Sequence, residues 1–415
     1  MPLVGRRTHR ARRASPARFL AATGVLIVVG MSSGAWAPRF AEAGDIVRAA
    51  SAQGPAQAPG DAPLRASGVD TGGAHTCAVT TAGTVVCWGW NAAGQLGDGT
   101  TTDRSRPDEV AGISGAVAVS AGYAHTCALL ADHSVRCWGR NADGQSGSEP
   151  SAIVAVPVPV AGLVDVIAVS AGFDHTCALI GDGTVRCWGA NAEGQLGDGT
   201  LRPAVTPVAV AGLAAVTSVS AGWDYTCAVL ADGTVRCWGA NASGQLGDGT
   251  TLDRPAPVAV TGLAGATDVS SDGTRTCATL ADGTARCWGA NGNGALGDGT
   301  LVDRPAPVRV AGLPGVTSIV TGRAHSCALL ADGTVACWGF AYDGQLGYGW
   351  NTDRVAPVAV SGLAGVVAIA GGYEHTCALL ADTTVRCWGL NANGELGAGT
   401  TTVSFSPGGS VLVGS

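Results

Sequence analysis

The sequence predicts an all-β protein, a seven-bladed β-propeller of fifty-residue, four-stranded repeats that follows an N-terminal signal segment. Three observations predict it. All fourteen cysteines fall into pairs ten positions apart: Cys77 and Cys87, Cys127 and Cys137, Cys177 and Cys187, Cys227 and Cys237, Cys277 and Cys287, Cys327 and Cys337, Cys377 and Cys387. Each pair lies fifty residues from the next. Turn residues cut every unit into four short apolar segments with almost no helical periodicity. A four-stranded sheet with so little helix to cover it can bury its faces only against its neighbours, and a ring of such sheets does that.

Residues 1–43 differ from everything after them. Arg6, Arg7, Arg10, Arg12, Arg13 and Arg18 form a basic block, the apolar run FLAATGVLIVVGM follows, and small residues offer cleavage after Ala37 or Ala43. This is the pattern of a secretory signal peptide. Pro38 disfavours the first position, so cleavage is expected after Ala43. The rival reading is an uncleaved anchor over 19–37, and membrane contact is expected only in that case. Residues 44–67, rich in Ala, Pro, Gln and Gly, read as a flexible linker, and 68–413 as the propeller.

Without its leader the chain is strongly acidic. Lysine is absent, and from residue 44 onward seventeen arginines face thirty carboxylates, a net of −13. Such a charge disfavours phosphate binding and predicts no nucleic-acid partner. Export to a secreted, periplasmic or cell-surface location also agrees with paired cysteines, because disulfides persist in oxidising compartments.

The middle hairpin of each unit fixes the cysteine geometry. If Ala131-Asp132-His133 and its counterparts form three-residue loops, residue 130 faces 134 and Cys127 faces Cys137. The pair is then non-hydrogen-bonded, with Cα atoms about 4.5 Å apart, within disulfide reach. Seven bridges within units are expected. Bridges between units and metal ligation are the alternatives, but nine intervening residues is not zinc-ligand spacing. The third loop position requires positive φ and is glycine except at His133 and Thr383, where strain is expected.

The units read G-x-x-H-[ST]-x-A-L, then D-G-x-V, then W-G-x-N-x-x-G-Q-L-G. This pattern resembles the regulator of chromosome condensation repeats over about 345 residues. The resemblance implies a seven-bladed propeller. In the founding nuclear members it also implies guanine-nucleotide exchange on a small GTPase through a wedge-like insertion. The fifty-residue spacing here leaves no room for such an insertion, and charge and export oppose that activity. The secreted bacterial propeller that inhibits β-lactamases, which has no catalytic role, is a nearer analogy.

Positions that repeat with the scaffold are assigned to the scaffold first. His75, His125, His175, His325 and His375 share one register with Tyr225 and Arg275. Arginine is no metal ligand, so the register is expected to hydrogen-bond the neighbouring blade's backbone. The tryptophans from Trp88 to Trp388 are expected as wedges between blades. Asp98, Asp198, Asp248 and Asp298 suggest turn chemistry before calcium.

Two registers vary sharply between units. The position two before the histidine holds Gly73, Tyr123, Phe173, Trp223, Gly273, Arg323 and Tyr373, and the position after W-G holds Trp90, Arg140, Ala190, Ala240, Ala290, Phe340 and Leu390. The hairpin places both at one end of every blade. With Tyr342, Trp90, Tyr123, Phe173, Trp223, Phe340 and Tyr373 form the candidate ligand-binding face, accompanied by Asp174, Asp224 and Glu374. Tyr348 and Trp350 also stand out in unit six. The expected function is an exported, non-enzymatic scaffold for a protein partner, without cofactor, metal or catalytic residues. A glycan or cell-wall binding module is the alternative, since aromatics beside carboxylates also suit sugars.

Overall fold

The computed structural model describes residues 62–413. The expected leader, its cleavage point and the linker up to residue 61 lie outside the described residues. Residues 62–67, assigned to the linker from sequence, already hold a short strand, Ala62–Pro63, and the start of the first blade at Ala66.

Blade 3 shows how the repeat folds. Its strands, Val166–Ala171, His175–Ile180, Val185–Gly189 and Ala204–Ala209, pair antiparallel in chain order. The second and third match His175 with Gly189, Cys177 with Cys187 and Leu179 with Val185. This register repeats in all seven blades.

The seven expected disulfides are present, each within its own hairpin. Cys77 is bonded to Cys87, Cys127 to Cys137, Cys177 to Cys187 and Cys227 to Cys237. Cys277 is bonded to Cys287, Cys327 to Cys337 and Cys377 to Cys387. Their Cα atoms lie 4.0–4.1 Å apart, somewhat closer than the expected 4.5 Å, because the bridge draws the opposed strands together. His133 and Thr383 hold the positive φ their loops demand, 63° and 69°.

The core lies between blades. Leu179, Val185 and Leu196 of blade 3 pack with Val216, Ala228 and Trp238, the last three from blade 4. All seven tryptophans of the W-G motif are fully buried in this way. G-Q-L-G makes the wedge fit. The Gln195 carbonyl accepts the Trp238 Nε1–H at 2.9 Å, and Gly197, at φ 68°, lies under the indole, where a Cβ would come within 2.6 Å of Nε1.

Two blades depart from the pattern where their sequences do. Blade 2, with GQSGSEPSAIVAVPVPV, has a longer outer strand, Ser151–Pro159. In blade 7 the outer strand shrinks to a bridge between Gly389 and Ser404. The ring closes without strand exchange between blades: Ala62–Pro63 pairs with Leu412–Val413, and Leu64, Ala66 and Trp88 pack on Leu379, Val385 and Val411.

Candidate binding face

The histidine register is a buried ring of bonds. His75 Nε2 meets the Thr126 hydroxyl at 2.8 Å, His125 meets Thr176, His175 meets Thr226, His325 meets Thr376, and His375 closes the circle on Thr76, each at 2.9 Å. Each threonine donates onward to a backbone carbonyl, as Thr226 does to Gln195 at 3.0 Å. Its proton is thereby committed, so the imidazole donates from Nε2 and Nδ1 carries no proton.

The histidine's acceptor corrects the sequence reading: it is a hydroxyl of the next blade, and only the threonine reaches the backbone. Tyr225 and Arg275 do reach it directly, donating to the carbonyls of Arg275 and of Gly322, Arg323 and His325. Burial pushes His75, His125 and His325 down to about 3, and His175 and His375 to about 4.

The aspartates after G-Q-L-G serve their loops. Asp98 accepts from the Thr100 N–H and hydroxyl at 2.9 and 2.8 Å and pairs with Arg104 at 2.9 Å. Asp248 and Asp298 repeat the pairing with Arg254 and Arg304. In blade 6 Tyr348 takes this register, buried, with Arg354 4.7 Å above its ring.

The variable registers meet at the axis. Tyr123 stacks on Phe173 with ring centroids 4.2 Å apart, Phe173 meets Trp223 edge-on at 5.6 Å, Trp223 stacks on Tyr373 at 5.7 Å, and Tyr373 returns to Tyr123 at 5.8 Å. Four rings from blades 2, 3, 4 and 7 thus form one closed circuit of contacts. Trp90 joins it through Tyr123 at 6.3 Å. All five are partly exposed. Phe340 and Tyr342 instead stack on each other at 6.4 Å, so the seven sequence candidates divide into an axial cluster and a blade 6 pair.

Charge frames the cluster. Arg323 lies 4.6 Å over the Tyr373 ring and 2.8 Å from Glu374. Asp174 pairs with Arg140 at 3.3 Å and accepts from Gln145 at 2.8 Å. Burial nevertheless pushes its carboxyl up to about 6, against the pull of Arg140, and raises Asp224 as well.

Two acidic residues were missed from sequence, and Trp350 was left out of the candidate face. Trp350 is 69 % exposed, and Tyr342, in the same unit, is 67 % exposed. Asp70 and Asp272 line an axial cavity of about 170 Å³ that Tyr123, Phe173, Trp223 and Tyr373 also line. Their signal was local: unit one reads D-T-G and unit five S-S-D where units two to four read S-A-G.

Seven repeated sheets, each bridged by its own disulfide and wedged by its neighbour's tryptophan, define a seven-bladed propeller of single-repeat blades. The chain belongs to the RCC1-like domain family, whose model matches residues 29–364. A regulator of chromosome condensation (RCC1) repeat matches residues 366–395 as well. No curated protein gives a significant match.

Among solved structures, human WBSCR16 is similar at 24 % identity and a TM-score of 0.72, over 79 % of this chain and 94 % of that one. Prp20p of Saccharomyces cerevisiae, studied with its binding to Gsp1p and histones, is similar at 22 % identity and 0.65, over 74 % and 80 %. Yeast RCC1 (Prp20) in its complex with Kap60 gives 21 % and 0.69, over 84 % and 85 %. At these identities the likeness is one of fold.

Proposed function

We propose that the protein is an exported, non-enzymatic scaffold that binds a protein partner through the aromatic end of its propeller. The axial cluster carries this reading. Rigid rings bury much area at little entropic cost, and here five of them are grouped at one end with Asp174, Asp224 and Glu374 beside them. The similar yeast propeller Prp20p is described with its binding to Gsp1p and histones and as bound to Kap60, which agrees with a scaffold role.

Seven disulfides favour an oxidising compartment. Arg65, at the N-terminal side of the first blade, bonds the turn of blade 7 through the Asp382 carbonyl, so the chain enters at the end opposite the aromatic rings. The test is affinity capture from culture medium and cell envelope with the wild-type chain and with a double variant, Phe173→Ala with Trp223→Ala, of matched stability. A protein captured by the first and not the second supports the proposal, and equal capture by both contradicts it.

A glycan is the second reading, favoured by the exposed faces of Tyr342 and Trp350. Retention on cell-wall polysaccharide that is lost on their truncation would select it.

A further inference from the structure

We propose, on the basis of the scaffold reading, that the place bounded by Trp223, Asp224 and Glu193 receives an arginine side chain of the partner, so that the aromatic end recognises a protein segment with an exposed guanidinium. In three blades the aromatic of the inner variable register is followed by an acid: Phe173-Asp174, Trp223-Asp224 and Tyr373-Glu374. Two of these pairs already hold an arginine of this chain. Arg140, from blade 2, brings Nε to 3.3 Å from Asp174 and reaches Asp143 at 3.9 Å. Arg323, from blade 6, lies 4.6 Å over the Tyr373 ring and 2.8 Å from Glu374, although that ring also stacks on Trp223.

The third pair lacks its arginine. Blade 3 has Ala190 where blade 2 has Arg140, and Glu193 where blade 2 has Asp143, so two acids repel each other there with no cation between them. Asp224 accepts the Gln195 Nε2–H at 3.3 Å, as Asp174 accepts that of Gln145 at 2.8 Å, so the two carboxylates stand alike in their blades. Among the described residues Asp224 has no ion pair. Burial first, and the charge of Glu193 second, raise its carboxyl above the ordinary range.

Where blade 2 answers its acids from within, blade 3 leaves the place to a side chain from outside. The surroundings select a guanidinium. Its planar fork bonds a carboxylate and lies against a ring, as Arg323 does, and it is more weakly hydrated than an ammonium. Two carboxylates fall short of the six to eight oxygens that calcium takes, and they repel anions. Entry is open, since Trp223 and Asp224 are partly exposed and Glu193 is exposed.

The oxidised full chain is titrated at low ionic strength with the capped tripeptide acetyl-Gly-Arg-Gly-amide and with the same peptide carrying uncharged citrulline in place of arginine. The Trp223 indole N–H resonance, assigned by its loss in Trp223→Phe, is followed by NMR. The arginine peptide is expected to shift it and the citrulline peptide to leave it in place. Asp224→Asn is expected to weaken binding about fivefold or more, with Asp232→Asn on the opposite end without effect. Ala190→Arg, which rebuilds the arrangement of blade 2, is expected to abolish the shift because its own guanidinium fills the place, and it decides the matter if Asp224→Asn does not fold. Equal shifts by the two peptides, no shift by the arginine peptide, or unchanged affinity in Ala190→Arg and any folded Asp224→Asn would overturn the assignment. A protein captured by the wild-type chain, lost with Phe173→Ala and Trp223→Ala but retained by Ala190→Arg, would uphold the scaffold reading and overturn the arginine site. Binding of the arginine peptide without any captured protein would uphold the site and overturn the scaffold reading.

Discussion

His175 Nε2 lies 2.9 Å from the hydroxyl of Thr226, fifty-one residues on and one blade away, and both side chains are fully buried. Because the Thr226 hydroxyl donates to the Gln195 carbonyl, which also accepts from Trp238, one chain of hydrogen bonds ties the histidine of blade 3 to the wedge of blade 4.

The chain of bonds should therefore tolerate a substitute donor but not a lost acceptor. Thr226→Val leaves the His175 N–H buried and unpaired and should cost about 1–3 kcal/mol of stability. His175→Gln keeps a donor and should cost less, with binding at the aromatic end unchanged. Denaturant unfolding of the two variants checks the order. Loss of binding by His175→Gln at unchanged stability would give the imidazole a functional role.

Stability should fall as the pH drops below about 7. The five histidines titrate at about 3 to 4 when folded and near 6.5 when unfolded, so between those values the unfolded chain holds more protons and stability rises with pH. Asp70, Asp174 and Asp272, raised to about 6, and Asp224 and Asp343, also raised, act in the opposite sense, but they take up protons at lower pH than the unfolded histidines do, so the histidines set the slope as the pH first drops. Each net proton taken up on unfolding costs about 1.4 kcal/mol per pH unit. A Tm that declines from pH 7.5 to 5, less steeply in His175→Gln, is the expected result, and a level profile contradicts it.

The disulfides should contribute separately in each blade. Removing the one between Cys227 and Cys237, by changing both to Ala, opens a short loop and should cost about 2–3 kcal/mol. Non-reducing peptide mapping should return seven bridges within repeats, so that peptides holding Cys87, Cys287, Cys337 and Cys387 each run with the cysteine ten positions before. Free thiols in most units, or bridges between units, would contradict the register.

Thr383 offers a gain instead of a loss. Its φ of 69° is strained for a β-branched residue, whereas five of the other six loops place glycine there. Thr383→Gly should stabilise by up to about 1 kcal/mol, measured as a rise in Tm. A fall would mean that the threonine side chain, 3.5 Å from Arg65, outweighs the strain.

The period of fifty carried most of the fold, because each local choice in the repeat, from the Asp-Gly loop to the Gly beneath the tryptophan, has a local cause. The hairpin register likewise placed Tyr123, Phe173, Trp223 and Tyr373 at one end. That the four touch was not legible, since blades 4 and 7 become neighbours only across the axis. The same limit hid the shared cavity of Asp70 and Asp272. The histidine's true acceptor stood in every H-T-C motif, but which blade it served depended on how the blades pack. Tyr348 and Trp350 were inseparable in sequence: one fills the buried register of Asp98 and bonds Thr352, the other has no carboxylate beside it to hold it in. Ring closure by Ala62–Pro63 lay in residues whose composition reads as linker.

The central claim is that the aromatic end is the recognition surface, and the affinity of an identified partner for single-site variants tests it most directly. Truncating Trp223 or Phe173 to Ala, with unfolding measured alongside, should weaken binding by about 30-fold or more, about 2 kcal/mol, because a few central rings dominate an interface. Asp232→Ala, at the loop end, should change it by less than about twofold. A partner that binds the truncated rings normally and loses affinity on the loop-end change would place recognition on the other side of the ring.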